Sequence, residues 1–507
     1  NARSQLVKRT DFVTGITNEY TYDLIGRLTE RYSTGNNTVK FVYDNLNRVT
    51  SAKRTVGDNS WYNNSYLYGA DSLNSYTGIT TSSGSMGLSK FYDSLNRMTS
   101  TVNVLNSGSG SRLSESITYK ASGLSTYGTT GLIDTYTTKL LSVPGGGDLA
   151  IGNDTYSYDD NGNISNILNN ITGQNIGYVY DSKNQLIRVN NRRDDQTITY
   201  SYDNGGNITE KKIYAYTTAN PIVGTPISTK TYSYGATDWK AFISDLLVNY
   251  NGEKDANGNL VQYTYNSILN PLTYRDGTTL TWSMRDLKTV SKSGLSASYS
   301  YNADGFRVSK TVNGVTTQFV LDDSGNILKQ TSGSNTLLFI YDDNGSRVGL
   351  QYNGANYLYV YNAQGDVTAI VDANHNVVVS YTYDEWGNKV SVTGSMASTL
   401  GVQNPFRYRG YCYDEETGWY YLQSRYYDPV VGRFISADNQ INDGILGTNL
   451  FAYCENNPVM YSDSTGNEPR YEPGPRVNGQ RTWIKIEEEE GLHIAQGTII
   501  TTNDTKF

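Results

Sequence analysis

The dipeptide Tyr-Asp recurs along the chain at a nearly constant spacing, and this repeat constrains the fold more than any other feature of the sequence. Three copies, which begin at Tyr158, Tyr180 and Tyr202, are each 22 residues apart. Later copies or close variants at positions 301, 321, 341, 361 and 383 are separated by 20 to 22 residues. A fixed period of this length is typical of repeat architectures, in which each unit buries its apolar side chains against its neighbours.

One repeat predicts one β-hairpin. Residues 197–202 alternate apolar and polar side chains, as a half-buried strand does. Residues 203–207 supply a turn that tolerates positive φ, and residues 208–214 form the returning strand. Because an isolated hairpin is only marginally stable in water, we expect the hairpins to pair edge to edge. The expected product is one continuous antiparallel ribbon from about Tyr20 to about Gln403, which strand twist makes coil.

Composition supports an all-β fold and excludes several classes of function. The 507 residues include 45 Tyr and 49 Gly but only 37% hydrophobic residues, which indicates many turns and a large wetted surface. The net charge of −8 disfavours nucleic-acid binding by the ribbon. No apolar run is long enough to predict a membrane span. The sequence lacks an initiator Met, and its repeats have begun by Tyr22, so we expect it to be a piece of a longer chain.

A stretch dense in Tyr, Arg and Asp follows the repeats, from Asn404 to Asn467. Its ordered motifs are Pro405-Phe406-Arg407-Tyr408-Arg409-Gly410, Tyr413-Asp414-Glu415-Glu416-Thr417-Gly418, Arg425-Tyr426-Tyr427-Asp428-Pro429, Gly432-Arg433-Phe434-Ile435-Ser436 and Asn456-Asn457-Pro458. These motifs closely resemble the core that closes RHS/YD-repeat proteins. The resemblance extends more weakly through the repeats and covers nearly the whole chain before residue 468.

The resemblance implies a hollow, cocoon-like β-shell over residues 1–403, closed by a core plug over residues 404–467. Residues 468–507 then begin a variable cargo segment, often a toxin in this family. The implied function is a secreted or cell-surface bacterial shell whose partner is its own C-terminal cargo. The alternative is a cell-surface adhesion or carbohydrate-binding module, as in the teneurins, with a glycan or a protein as partner.

The resemblance also implies an intramolecular aspartyl autoprotease. In RHS proteins and in the C subunits of insecticidal ABC toxin complexes, the core has an Arg before a first Asp-Pro and then Asp-Pro-x-Gly-Leu, with cleavage after the Leu. By motif position, the candidate catalytic residues are Arg433, Asp438 and Asp463, and the bond cut is Asn467–Glu468. Two carboxylates held together suit this chemistry, because one is kept protonated while the other activates water.

The motif departs from the family pattern at three positions. Asn439 and Ser464 replace the two prolines, and Asn467 replaces the leucine. Because proline fixes φ and stiffens the turn that carries each Asp, we expect the chain to remain largely uncut. In that case Arg433, Asp438 and Asp463 serve only in salt bridges or turns of the plug.

No other catalytic or cofactor signal is present in the sequence. Two His and two Cys have no metal-ligand spacing, which leaves no predicted zinc site and no Ser-His-Asp triad. Cys412 and Cys454 are predicted to be separate thiols, with a disulfide between them as the alternative. Residues 238–247 carry the helical spacing of apolar residues and form the one predicted short helix, capped by Asp238.

Overall fold

The computed structural model describes residues 3–35, 37–57, 60–69, 73–105, 111–121, 129–142, 146–235, 244–254, 257–438 and 449–467, together with the backbone of short strands between residues 470 and 500. Strands dominate these residues, as the all-β prediction requires, and each strand pairs with its neighbours in sequence. Helical structure is limited to the four-residue helix α1, Leu400–Gln403, and a few 3₁₀ turns in the described part of the chain. None of these helices could cross a membrane.

The first sheet is an antiparallel meander in which each strand is hydrogen-bonded to the next. Its strands are β1 Lys8–Thr10, β2 Thr17–Tyr22, β3 Leu28–Ser33, β4 Asn37–Tyr43, β5 Val49–Val56, β6 Trp61–Tyr68, β7 Asn74–Thr81, β8 Gly84–Tyr92, β9 Met98–Leu105, β10 Arg112–Ala121, β11 Thr129–Leu141, β12 Leu149–Tyr158, β13 Ile164–Asn169, β14 Asn175–Tyr180, β15 Leu186–Asn191, β16 Gln196–Tyr202, β17 Ile208–Ala215, β18 Ser228–Tyr234 and β19 Leu247–Tyr250.

The second sheet continues the same meander. Its strands are β20 Thr264–Tyr265, β21 Pro271–Tyr274, β22 Thr278–Ser283, β23 Asp286–Lys292, β24 Leu295–Tyr301, β25 Arg307–Val312, β26 Val315–Leu321, β27 Ile327–Ser332, β28 Asn335–Tyr341, β29 Arg347–Tyr352, β30 Ala355–Tyr361, β31 Val367–Val371, β32 Val377–Tyr383 and β33 Lys389–Thr393. A 3₁₀ turn, Arg275–Gly277, joins β21 to β22.

A smaller four-stranded sheet follows α1, Leu400–Gln403. It consists of β34 Cys412–Asp414, β35 Trp419–Tyr421, β36 Tyr426–Asp428 and β37 Arg433–Phe434, with 3₁₀ turns at Tyr408–Gly410 and Cys454–Asn456. Three two-stranded ladders complete the described backbone: β38 Tyr461–Ser462 with β39 Arg470–Tyr471, β40 Arg476–Val477 with β41 Gln480–Arg481, and β42 Trp483–Lys485 with β43 Thr498–Ile500. We call residues 404–438 and 449–467 the plug.

The geometry of one repeat explains the Tyr-Asp dipeptide. In the turn after β16, Oδ1 of Asp203 accepts hydrogen bonds from the backbone N–H groups of Gly205 and Asn207, both at 2.9 Å. The carboxylate thus closes the turn locally, which is the usual role of Asp in such turns. The Tyr202 hydroxyl donates to the Leu186 carbonyl of the preceding repeat at 2.6 Å. Asp therefore shapes each turn, and Tyr ties that turn to its neighbour.

The ribbon is not continuous, which corrects one sequence-based expectation. The ladder stops at Tyr250 and resumes at Thr264 in the described residues, and single bonds span the interval, such as Val261 N–H to the Glu253 carbonyl at 2.9 Å. Most of the predicted helix lies outside the part of the chain that the structure describes. Residues 238–243 lie outside the described residues, and Leu247, its last predicted residue, begins β19. Residues 244 and 245 form a turn, so the C-terminal end of the predicted segment is not helical.

The two sheets contact each other through the turns of one and the strands of the other. Lys90 in β8 forms ion pairs with Asp342 at 3.0 Å and Asp343 at 2.6 Å, in the turn after β28. The Asn64 amide in β6 donates to the Tyr341 carbonyl at 2.8 Å. Arg31 in β3 meets Asp323 at 2.5 Å. Contacts between residues more than 250 positions apart show that the ribbon coils back on itself, as strand twist leads us to expect.

The plug packs against both sheets and is mostly buried. Its aromatic side chains stack on one another, for example Tyr427 on Tyr453 with ring centroids 4.0 Å apart. They also contact the ribbon, as Phe406 does with Phe339 at 4.8 Å. Tyr420, Tyr427 and Tyr453 have no exposed surface. Burial of so many large rings is a major source of stability, because each removes a large apolar area from water.

Candidate functional site

The structure brings Asp438 and Asp463 together around a single arginine, Arg425. Nη2 of Arg425 lies 2.8 Å from Oδ2 of Asp438 and 3.7 Å from Oδ2 of Asp463. All three side chains are less than a tenth exposed. The face of the guanidinium lies 3.6 Å from the centre of the Phe434 ring, which excludes water from one side. Two carboxylates thus share one cation inside the plug.

The Asp463 carboxylate is held in a tight turn. Oδ1 accepts hydrogen bonds from the backbone N–H groups of Gly466 at 2.8 Å and Thr465 at 3.3 Å. The Asp463 backbone N–H in turn donates to the Tyr411 hydroxyl at 2.6 Å. Oδ2 is buried and has no hydrogen-bond partner of good geometry in the described structure. A buried carboxylate oxygen without a hydrogen bond is costly when charged, which favours the protonated form of this group.

Burial sets the protonation of this cluster. It raises the pKa of Asp463 to about 6, although Arg425 and the backbone N–H groups of the turn oppose the change. Burial also lowers the pKa of Arg425 to about 10, against the attraction of the two carboxylates. Both directions agree that removal of these charges from water is not fully compensated. Asp463 is therefore protonated in an appreciable fraction of molecules at mildly acidic pH.

Arg433, the arginine singled out by motif position, lies elsewhere. Its Nη1 donates to Oδ1 of Asn207 at 2.8 Å, and its Nη2 donates to the Asp245 carbonyl at 3.0 Å. Its guanidinium also stacks on the Tyr234 ring at 4.9 Å. These partners belong to the ribbon, so Arg433 joins the plug to the wall and does not contact the carboxylate pair.

Strand alternation explains which arginine reaches the pair. In the β36–β37 ladder, Tyr427 is opposite Phe434, and Asp428 is opposite Arg433. Side chains on a strand alternate between faces, so Arg425, two residues before Tyr427, shares the face of Tyr427 and Phe434. Arg433 lies on the other face. The sequence contains Arg425 in the Arg425-Tyr426-Tyr427-Asp428 motif, but motif position in the family resemblance pointed to Arg433.

The segment around the predicted cleavage bond lies beside the pair. The Thr465 carbonyl accepts hydrogen bonds from the Ser424 N–H at 3.1 Å and the Ser424 hydroxyl at 2.6 Å. The Gly466 carbonyl accepts a hydrogen bond from Nε of Arg425. Asn467 is described, whereas Glu468, on the other side of the predicted bond, lies outside the described residues. The chain around residue 466 is thus held against the same arginine that holds the two carboxylates.

This arrangement fits acid–base hydrolysis of a peptide bond. A carboxylate and a carboxylic acid that share a desolvated site can activate water and protonate a leaving amine. A guanidinium on a carbonyl oxygen stabilises the negative charge that develops there. The structure shows no grouping of three or more metal-ligating side chains in its described part. Cys412 and Cys454 are both buried free thiols.

A second polar cluster fixes the plug to the ribbon. Arg307, at the start of β25, forms a two-pronged ion pair with Asp414 at 2.5 and 2.9 Å. Lys310 reaches Asp414 at 2.8 Å and Glu416 at 2.8 Å. Arg307 and Asp414 are almost wholly buried. Loss of one member would leave an uncompensated buried charge, so this cluster favours a single docked position of the plug.

A cavity of about 540 Å³ lies between the plug and the ribbon. Lys90 and Glu115 from the first sheet line one side of it. Arg409, Ser464 and Thr465 from the plug line another side. The residues that directly follow Asp463 therefore border interior space.

Comparison with known proteins identifies the architecture. The family model of the teneurin YD-shell matches residues 147–460. The tRNA nuclease WapA of Bacillus subtilis (strain 168) is 42% identical over 197 residues, which are 37% of this chain and 8% of that protein. Double-stranded DNA deaminase toxin A of Burkholderia cenocepacia is 35% identical over 106 residues, or 21% of this chain and 7% of the toxin. The chain thus spans less than a tenth of these relatives.

Solved structures show the same fold at low sequence identity. The crystal structure of the TcdB2-TccC3-Cdc42 protein superposes with a TM-score of 0.57 at 16% identity and covers 90% of this chain and 27% of that one. The Tc holotoxin pore of Photorhabdus luminescens gives a TM-score of 0.55 at 16% identity, with 94% of this chain and 27% of that chain covered. At this level of identity the match concerns the fold.

Proposed function

The chain belongs to the teneurin YD-shell family, and we propose that it forms the closed end of a β-shell that encloses a C-terminal cargo outside the cell. Two relatives are toxins by name and a third is a tRNA nuclease, which makes a toxin the favoured class of cargo. The observation that carries this proposal is the position of the plug. Buried ion pairs dock it on the ribbon, and its final turn borders the interior cavity. A chain that leaves this turn begins on the inner side of the wall.

Protection of the tail tests enclosure. A site-specific protease recognition sequence is added after Phe507, and a control carries the same sequence after Val223, which is 85% exposed in the loop between β17 and β18. Enclosure predicts rapid cutting of the loop site and cutting of the tail site only after denaturant opens the shell. Equal rates at both sites in native buffer would contradict enclosure.

The Arg425 cluster supports a second proposed activity, autoproteolysis at the plug. Asp438 activates water, Asp463 donates a proton, and Arg425 stabilises the carbonyl oxygen. This assignment keeps both sequence-predicted carboxylates and replaces Arg433 by Arg425. The missing prolines still favour slow cleavage, so the rate is best measured over days and in the Asn439→Pro/Ser464→Pro variant.

Substitution of each arginine in turn distinguishes a role in cleavage from a role in docking the plug. Arg425→Lys keeps a positive charge but loses the fork that holds the Gly466 carbonyl, so we expect cleavage at least ~100-fold slower, as for loss of an oxyanion donor. Arg433→Lys should slow cleavage far less and should instead speed hydrogen exchange at the plug–wall contact. Intact mass and exchange measurements follow both effects. The reverse ranking would restore the sequence-based assignment.

A further inference from the structure

We propose that the bond cleaved by this site is Gly466–Asn467, one residue before the bond that the sequence motif indicates. The inference rests on the autoproteolytic activity proposed above and specifies its substrate. It follows from the carbonyl that the structure presents to Arg425 and from the turn that Asp463 closes beside it. The family motif would place the bond at Asn467–Glu468.

The carbonyl side of the Gly466–Asn467 bond is bound as a substrate would be. Ser424 donates two hydrogen bonds to the Thr465 carbonyl, at 3.1 and 2.6 Å. The next carbonyl, that of Gly466, accepts a hydrogen bond from Nε of Arg425. The same guanidinium holds Asp438 through Nη2. A hydrogen bond from a fixed cation polarises a carbonyl for attack, and here the polarised carbonyl belongs to Gly466.

The amine side of the same bond faces Asp463. Oδ1 of Asp463 accepts a hydrogen bond from the Gly466 backbone N–H at 2.8 Å, and the next backbone nitrogen along the chain is that of Asn467. Proton transfer to a leaving nitrogen needs an acid within hydrogen-bond reach of it. The nitrogen of Asn467, released when the Gly466–Asn467 bond breaks, directly follows the turn that Asp463 closes, so we assign Asp463 as its proton donor.

Close packing restricts the residue before the bond to glycine. Gly466 has φ +74°, a conformation that side chains disfavour. A Cβ there would lie 2.7 Å from Oγ of Ser424 and 2.8 Å from the Leu422 carbonyl oxygen. Only glycine therefore lets the Thr465–Gly466 backbone approach the strand that carries Arg425. This close approach makes position 466 the specificity-determining position of the cleaved segment.

The proposed step consumes only water. The water oxygen adds to the Gly466 carbonyl carbon while its proton passes to Asp438. The carbon–nitrogen bond to Asn467 then breaks as the proton of Asp463 moves to the departing nitrogen. The products are residues 1–466 with a new carboxyl group and residues 467–507 with a new amino group. Cleavage should slow as pH rises through about 6, because Asp463 loses the required proton.

The test is the N-terminal residue of the released fragment. The full chain and the Asn439→Pro/Ser464→Pro variant are incubated between pH 4 and 8, and the products are identified by intact mass and N-terminal sequencing. The expected fragment begins at Asn467. A fragment that begins at Glu468 overturns this assignment but leaves autoproteolysis standing. No fragment from either protein under any condition defeats autoproteolysis and the bond assignment together, whereas the enclosure test is unaffected.

Two further variants sharpen the result. Asn467→Leu restores the family residue, and we expect its fragment still to begin at position 467. Gly466→Ala should abolish release, whereas Gly173→Ala, with a similar φ of +70° and open space around its Cβ position, should leave it unchanged. Release from Gly466→Ala at the normal rate would show that close approach at residue 466 is not needed and would overturn the proposal.

Discussion

The turns of the first repeats and those near the plug share one design but end in different side chains. In both, Oδ1 of the Asp binds two backbone N–H groups, and Oδ2 binds the side chain four residues later. That side chain is Arg27 at 2.6 Å from Asp23 in an early turn and Asn207 at 2.9 Å from Asp203 in a later one. The Arg reaches onward and stacks on Tyr43 of the next repeat, 4.6 Å from its centre.

The asparagine turns leave an acceptor free for the plug. Oδ1 of Asn207 accepts from Arg433 at 2.8 Å and Asn449 at 2.9 Å, and Oδ1 of Asn163 accepts from Asn457 at 2.9 Å. An amide offers both a donor and an acceptor, whereas a guanidinium offers only donors. The comparison teaches that an asparagine at this place gives a turn an acceptor that the plug can use, although an asparagine turn such as that of Asp372 and Asn376 also occurs in solvent.

The largest effect on stability should come from loss of the Arg307–Asp414 ion pair that docks the plug on the ribbon. Arg307→Ala leaves Asp414 charged and buried, so we expect a loss of about 3–5 kcal/mol in plug stability. Arg48→Ala is the matched control, because its ion pair with Asp44 is partly exposed and loses at most ~1 kcal/mol. Native-state hydrogen exchange of plug peptides measures both. Equal losses would mean that burial does not distinguish the two regions.

Asp463→Asn should stabilise the protein at neutral pH. Its folded-state pKa of about 6 exceeds the ordinary value of 3.8, so the folded state binds the proton more tightly and loses stability as pH rises from about 4 to 6. The variant removes this cost, on the order of 3 kcal/mol above pH 6, and should match the parent below pH 4. Thermal unfolding at several pH values checks this. A destabilised variant at pH 7 would contradict it.

Asn207→Ala tests the docking turn directly. It leaves donors of Arg433 and Asn449 without their shared acceptor, and we expect a loss of about 2 kcal/mol. Asn376→Ala removes the same side chain from an exposed turn, where the amide binds Asp372 at 2.9 Å, and should cost about 0.5–1 kcal/mol. Urea unfolding measures the loss of stability in each variant, and hydrogen exchange of plug peptides shows whether that loss occurs at the plug. If Asn376→Ala cost more, the amide would matter for the turn and not for docking.

Arg27→Asn should have the smallest effect. It converts an early turn to the later type and keeps a donor for Asp23, but it loses the stacking on Tyr43 and the hydrogen bonds from Nη1 to the Asp44 carbonyl at 3.2 Å and to Oδ1 of Asn47 at 3.0 Å. At this partly exposed site we expect a loss of up to about 1 kcal/mol. The change should be confined to exchange rates in β2 to β4. Exchange changes in the plug would show that early turns also support docking.

Much of the fold could be predicted from the sequence, and particular residues show why the rest could not. Tyr202 and Asp203 predict their hairpin because their hydrogen bonds are made to residues of the same repeat and the one before it. The interruption between Tyr250 and Thr264 was missed, since an irregular repeat at Tyr265-Asn266 still resembles its neighbours. Arg433 was assigned by motif position, and a motif does not show which strand face a side chain occupies.

The sequence by itself determined the period, the turns and the antiparallel pairing, because these depend on side chains within about 20 residues of one another. The resemblance of its motifs to a known family predicted Asp438 and Asp463 as the candidate carboxylates, which stays a prediction. Only the tertiary structure decided that Arg425 joins them and that Arg433 binds Asn207, more than 200 residues away. Those choices depend on strand alternation and on where the plug meets the ribbon, and both are properties of the folded chain as a whole.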